Sequence, residues 1–216
     1  MSRDRAWRWG HVACASAIGL VLMAGLMTGP PLTVDAQQLT QPQATPDVDM
    51  AVRAAKAREL AHLYSEKLRA GITKALKEVG PVGAISACNI LAPELNASIT
   101  DDSTFEIGRT ALRVRNPENA PDSWELAGLE QFQKELASGA DVKTVETFDI
   151  VTTKEGQRLF RYMRPITMRE PCLLCHGPNV AQDVKAEIAK YYSDDKALGF
   201  AMGELRGAFS LVQQLD

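Results

Sequence analysis

The chemistry of this chain is concentrated in five consecutive residues, Cys172-Leu173-Leu174-Cys175-His176. Two cysteines separated by two residues can each form a thioether to one vinyl group of a porphyrin. A histidine directly after the second cysteine then lies under the iron as its proximal ligand. The pattern predicts one covalently attached haem c. Three other chemistries fit less well. A zinc site needs four ligands, and after the first 36 residues the chain adds only Cys88 and His62 to this motif, with no second pair at ligand spacing. A thioredoxin-like redox pair wants a strand–Cys-x-x-Cys–helix setting and gives no reason for His176. A disulfide across two residues is geometrically poor. Pro171 and Gly177-Pro178 bracket the motif with turn chemistry, which suits a loop that wraps a rigid planar group.

Haem iron has a second axial position. With two cysteines consumed by the tether, Cys88 is left as a lone thiol in an exported chain. It lies on the apolar face of a predicted helix, so a buried core thiol and an axial ligand opposite His176 both stand as readings. Bis-histidine ligation has one candidate, His62, and histidine/methionine ligation could draw on Met163, Met168 or Met202. Met168 is so close to Cys172 in sequence that reaching the opposite haem face would be strained. Arg109, Arg113 and Arg115 form a local basic cluster. The planar guanidinium fork suits a haem propionate, and a solvated strand face is the simpler alternative. Trp124 and Phe160 to Tyr162 read as core and pocket lining, and Asp194-Asp195 as a turn at a helix end. No Ser-His-Asp, paired-carboxylate or Gly-rich phosphate arrangement stands out, so no enzyme active site is expected.

Something must hold these residues around a flat cofactor. Pro46 opens a long helix whose apolar stripe runs Leu60, Tyr64, Leu68, Ile72, Leu76. Gly80 stops it, and Pro81 opens a second helix in which Ile85, Cys88, Ala92, Leu95 and Ile99 recur every three or four residues. Pro93 is expected to kink or shorten that helix. Residues 105–114 read as a strand, 124–136 as a helix, and 144–152 with 158–168 as a hairpin turning at Lys154-Glu155-Gly156. A short helix near 181–192 and a last strand near 204–213 complete an α+β pattern: two N-terminal helices, then a mostly antiparallel sheet with a helical insertion, a PAS-like arrangement.

The first residues read as an export signal. Arg3, Arg5 and Arg8 precede an almost wholly apolar run from Val12 to Met27, and Val34-Asp35-Ala36 offers small residues at the positions before a cut. Residues 1–36 are thus expected to be a cleaved signal peptide and 37–47 a polar, Pro-bearing tether, with one domain over 48–216. Retention as an anchor is the alternative. Cleavage removes three arginines and two aspartates from a chain of net charge −3, leaving −4. No basic stripe interleaved with aromatics is present, so nucleic acid is not an expected partner. After cleavage the chain is not expected to be an integral membrane protein.

From about residue 50 to the C-terminus the chain resembles a bacterial single-haem c-type cytochrome domain of PAS-like fold, the Tll-like haem domain family. The matching pieces include Ala84-Ile85 with Cys88 and Ala92-Pro93, Gly108-Arg109-Thr110, Arg115-Asn116-Pro117, and Asn119-Ala120-Pro121-Asp122. They continue through Trp124, Phe160 to Ile166, Cys172 to Gly177, and Gly203 to Ser210. The resemblance implies that Cys88, which precedes Ala-Pro on its helix, is the second axial ligand. Such domains occur alone in the periplasm and as sensory parts of histidine kinases. Two functions follow as expectations: a redox or gas sensor acting through a labile Cys/His-ligated haem, or a periplasmic one-electron carrier. Because no kinase or cyclase module is recognised in the sequence, the sensor reading expects a separate signalling protein as partner, and the carrier reading a redox partner protein.

Overall fold

A sheet with two apolar faces needs a helix on each, and the chain supplies one from each side of its first strand. The computed structural model describes residues 46–101 and 103–215. The expected export signal and nearly all of the expected tether lie outside the described residues. Helix α1 spans Pro46–Asp101 and is broken once, at Gly80, with φ 67° and ψ −179°. That backbone region is open almost only to glycine. It turns the chain back, so that Leu91 packs on Gly71 and the Tyr64 hydroxyl donates to Ala92 O at 3.4 Å. The two expected helices are therefore the antiparallel arms of α1, residues 46–79 and 81–101. Of the kink or shortening expected at Pro93, the shortening does not occur, and the second arm runs on to Asp101. The exposed Pro93 ring costs one helical bond, while Ala92 and Ile99 are buried in flanking turns.

Strand β1 (Glu106–Thr110) is shorter than expected, because residues 111–116 leave the sheet. Helix α2 (Ser123–Ala137) starts in a reciprocal capping box: Asp122 Oδ1 accepts from Glu125 N at 2.9 Å, and Glu125 Oε2 accepts from Asp122 N at 3.0 Å. The hairpin pairs β2 (Thr147–Thr152) with β3 (Arg158–Thr167), and β4 (Leu205–Leu215) closes the sheet in the antiparallel order β1-β4-β3-β2. Alternation along the strands then sorts the side chains. Phe160, Tyr162, Phe209, Leu211 and Ile107 pack under α1 against Ala57, Leu60 and Tyr64. Met163 and Ala208 face the other way, under Leu129 and Phe132 of α2. Each large apolar side chain buried this way contributes about 1.5–3 kcal/mol. The molecule is α+β and PAS-like, as the sequence pattern indicates.

The alternation has one interruption, and it matters. Ile166 pairs with Gly207, yet Thr167 pairs with Leu205, so Arg206 is an extra residue in β4. This bulge re-aims the side chains around it. Leu205, which strict alternation would align with Gly207 and Phe209, instead packs with Ala208 under α2.

Candidate cofactor site

Between β3 and β4 the chain leaves the sheet to form helices α3 (Glu170–His176) and α4 (Gln182–Tyr191). The cysteine motif, expected in a loop, is thus helical. The local sequence explains why: Pro171 suits the first turn, where its missing N–H is not needed, and Glu170 there complements the helix dipole. The helical geometry does the positioning. Residues three and four apart share a face, so Cys172, Cys175 and His176 all turn toward one cavity. Gly177 closes α3, its N–H donating to Leu173 O at 3.0 Å. A side chain at 177 would put its Cβ 2.6 Å from that same oxygen, so the chain passes only as glycine.

The cavity has a volume of about 490 Å³, within the range of small-molecule and cofactor pockets. The expected helix stripe builds one wall. Leu60 and Tyr64 press on the sheet, while Leu68, Ile72 and Leu76 run past its end and line the cavity. The second arm supplies Ala84, Ile85 and Cys88. Cys88 therefore shares the cavity with Cys172, Cys175 and His176. Burial pushes the Cys88 thiol up, with Arg109 and Arg115 pulling it partly back, and burial likewise raises Cys175. Asn89 beside Cys88 accepts from the Tyr192 hydroxyl at 2.7 Å, which ties the second arm to the end of α4.

His176 is oriented for a single task. Its Nδ1–H donates to Ala197 O at 2.8 Å, since a carbonyl can only accept. Burial, reinforced by the Arg206 and Arg115 cations, holds the imidazole well below the ordinary histidine range. The ring is neutral at pH 7, and its free lone pair is on Nε2. A neutral imidazole with its second nitrogen anchored to a carbonyl is the usual form of a metal-ligating histidine. Phe200 meets the ring edge-on, with centroids 6.3 Å apart.

The other axial candidates separate cleanly. His62 is exposed and does not line the cavity. Met163 is buried under α2, and Met202 is exposed. Met168 does line the cavity, but it packs with Ala197, Phe200 and Leu173, on the side that carries His176. Trp124, Phe160 and Tyr162 lie in the core and do not line the cavity.

The basic cluster divides. Arg109 lines the cavity beside the Tyr64 hydroxyl. Arg113 does not, contrary to the sequence expectation. Its guanidinium lies 3.5 Å over the Phe200 ring, pairs with Glu204 and donates to Leu198 O at 3.1 Å. Arg115 lines the cavity too, and so does Arg206, swung in by the β4 bulge. Burial draws it down to about 10, with Arg109 and Arg115 acting in the same direction. It is still a cation at neutral pH. Among the described residues neither Arg109 nor Arg206 has a carboxylate within ion-pair distance. Cations drawn out of water with no carboxylate in direct contact are costly, and a planar apolar cofactor bearing two carboxylates is the chemical complement of these walls. No cluster of three or more His, Cys, Asp and Glu side chains fit to hold a bare metal ion occurs among the described residues.

The sequence pattern of the Tll0287-like family matches residues 37–213. The chain belongs to that family. In its fold the chain is similar to the crystal structure of the cyanobacterial heme-protein Tll0287, at 24% identity and a TM-score of 0.53. The match covers 80% of this chain and 98% of that one. No protein of curated function matches the sequence. The family segment contains every residue that lines the cavity, from Ser65 on α1 to Phe209 on β4. Sequence reasoning missed two of them in their roles. Arg206 owes its aim to a register slip that no local pattern announces, and Tyr192 owes its contact to a residue 103 positions away.

Proposed function

We propose that this chain is an exported single-haem c-type cytochrome that acts as a redox or gas sensor. The observation that carries the reading is the convergence of four residues on one cavity: the tether pair and histidine on α3, and Cys88 on the facing arm of α1. The family and the fold are consistent with it. Cys172 and Cys175 would form the thioethers, and His176 Nε2 and Cys88 Sγ would hold the iron. Arg109 and Arg206 would take the propionates. Haem bound there supplies a one-electron iron couple and an axial position that can be exchanged. The sensor reading is supported by the separate mounting of the two ligands. His176 is anchored to the Ala197 carbonyl, while Cys88 belongs to an arm that joins the rest of α1 through Gly80. Burial favours the protonated thiol of Cys88, so a fall in the positive charge facing it would let Sγ take a proton from solvent and release its hold. A separate signalling protein would read that release.

A one-electron carrier is the second reading. It is favoured by the exposure of Cys172 and Leu174, which would leave one edge of the tethered cofactor near solvent. Hydrogen exchange of residues 81–101 in the two oxidation states separates the readings: a sensor changes protection there on reduction, a carrier does not. The haem assignment itself is tested by intact mass of periplasmic protein, which should give a chain starting at Gln37 plus one haem. Retained residues 1–36 would refute cleavage. Replacing Cys172 and Cys175 with Ala should make any haem extractable by acid acetone, and haem that stays bound would refute the tether.

A further inference from the structure

Asp194 and Asp195 are adjacent in sequence and unlike in setting. Asp194 pairs with Lys196 at 3.2 Å, with side chains 76% and 61% exposed, an ordinary solvated pair. Asp195 pairs with Arg115, with side chains only 9% and 11% exposed. Its Oδ2 accepts from Arg115 Nε and Nη2 at 3.1 and 3.0 Å, and its Oδ1 accepts from Ala197 N at 2.9 Å. Ala197 is the residue whose carbonyl holds His176 Nδ1–H. The circle closes through Arg115, whose Nη2 also donates to Cys175 O at 2.6 Å and, weakly, to Ala197 O at 3.5 Å. Cys175 O belongs to the last turn of α3, where carbonyls have no intrahelical donor. His176, Ala197, Asp195, Arg115 and Cys175 therefore form one ring of hydrogen bonds around the histidine, assembled from three distant stretches of chain.

We propose that Asp195 and Arg115 are positioning residues that fix the rotation of the His176 ring and the strength of its Nδ1–H bond; this rests on the haem reading above. A turn residue needs no such pairing, and Asp194 occupies the turn without it. Without the Asp195 carboxylate, or without the Arg115 fork that aims it, the hold on the Ala197 N–H weakens and the Ala197 carbonyl is no longer kept in line with Nδ1. That carbonyl then accepts less well, and His176 donates less to iron. The two charges also act with opposite sign on the iron couple.

The test uses full-length holoprotein, with Asp195→Asn and Arg115→Gln compared with the parent. Intact mass reads haem attachment, redox titration reads the potential, and resonance Raman of the ferrous protein reads the iron–histidine stretch. Expected are intact haem attachment in all three, a potential raised in Asp195→Asn and lowered in Arg115→Gln, and a lower stretching frequency in both. Arg115→Lys keeps the charge but loses the fork. It should lower the frequency with little change in potential, and it carries the test if Asp195→Asn does not fold. Haem attached in every variant with unmoved potential and frequency would overturn the positioning role and leave the haem reading standing. A parent without attached haem would overturn the haem reading instead.

Discussion

At the scale of single residues, the site depends on how few groups can titrate or move. His176 is neutral and tied at Nδ1, while Cys88 is a thiol that burial keeps protonated unless a positive charge faces it. An anionic sulfur favours ferric over ferrous iron and lowers the potential relative to a thioether ligand. Cys88→Ser should therefore remove a low-spin thiolate signal from the electron paramagnetic resonance spectrum and raise the potential. Unchanged spectra and potential would return Cys88 to the status of a core thiol. That Cys172, Cys175 and His176 share one cavity was legible in the sequence because they lie within one helical turn and a half. Cys88 was legible only through parity and resemblance. Arg113 and Arg206 were misread or missed, since nothing local tells which of two arginines a bulge will turn inward.

At the scale of elements, α1 does most of the positioning, and its sequence announced it. The stripe from Leu60 to Leu76, the Gly80-Pro81 break and the second stripe through Cys88 are each visible by periodicity. What periodicity could not give is where the first stripe stops facing the sheet and starts facing a cavity, because that depends on where the strands end. Gly80 sets the angle between the arms, so Gly80→Ala should cost about 1–3 kcal/mol, the strain of a side chain in that region. A shifted urea midpoint at constant slope would show it, together with loss of the thiolate signal as Cys88 is displaced. A stability equal to the parent's would refute the strained turn. The first arm is latched separately. Arg58 Nε donates to Glu146 Oε2 at 2.8 Å, and the Tyr162 hydroxyl donates to the same oxygen at 2.8 Å. Arg58 holds the Glu146 carboxyl below its usual range, so the latch stabilises fully above the unfolded value near 4.3 and is lost as pH falls through the folded one. Arg58 is half exposed, which limits the contribution to about 1 kcal/mol. Glu146→Gln should lose that amount at pH 7 and converge with the parent as pH falls through the lowered value of the folded carboxyl. A gap independent of pH would exclude the charge as its source.

At the scale of the whole molecule, the sheet and α2 form a complete core, while the cavity is a second, unfinished interior. Its walls come from α1, α3, β1, β3 and β4, and among its arginines Arg109 and Arg206 have no carboxylate within ion-pair distance among the described residues. Such a region is stable only with its cofactor in place, because a cavity forgoes packing and a buried cation without a counter-charge is penalised. Binding to the folded state alone stabilises it, and a covalent tether would make that gain permanent. The same residue should then act with opposite sign in the two forms. In apoprotein lacking Cys172 and Cys175, Arg206→Met removes a buried cation that no carboxylate pairs and keeps an apolar stem of similar length, and should stabilise by about 1–4 kcal/mol. In holoprotein it removes the partner of a propionate and should destabilise, since a carboxylate is left without its cation. Urea unfolding of the four proteins measures both differences. Equal signs in apo- and holoprotein would mean that Arg206 serves the β4 bulge rather than the cofactor, and the propionate role would fall to Arg109 alone.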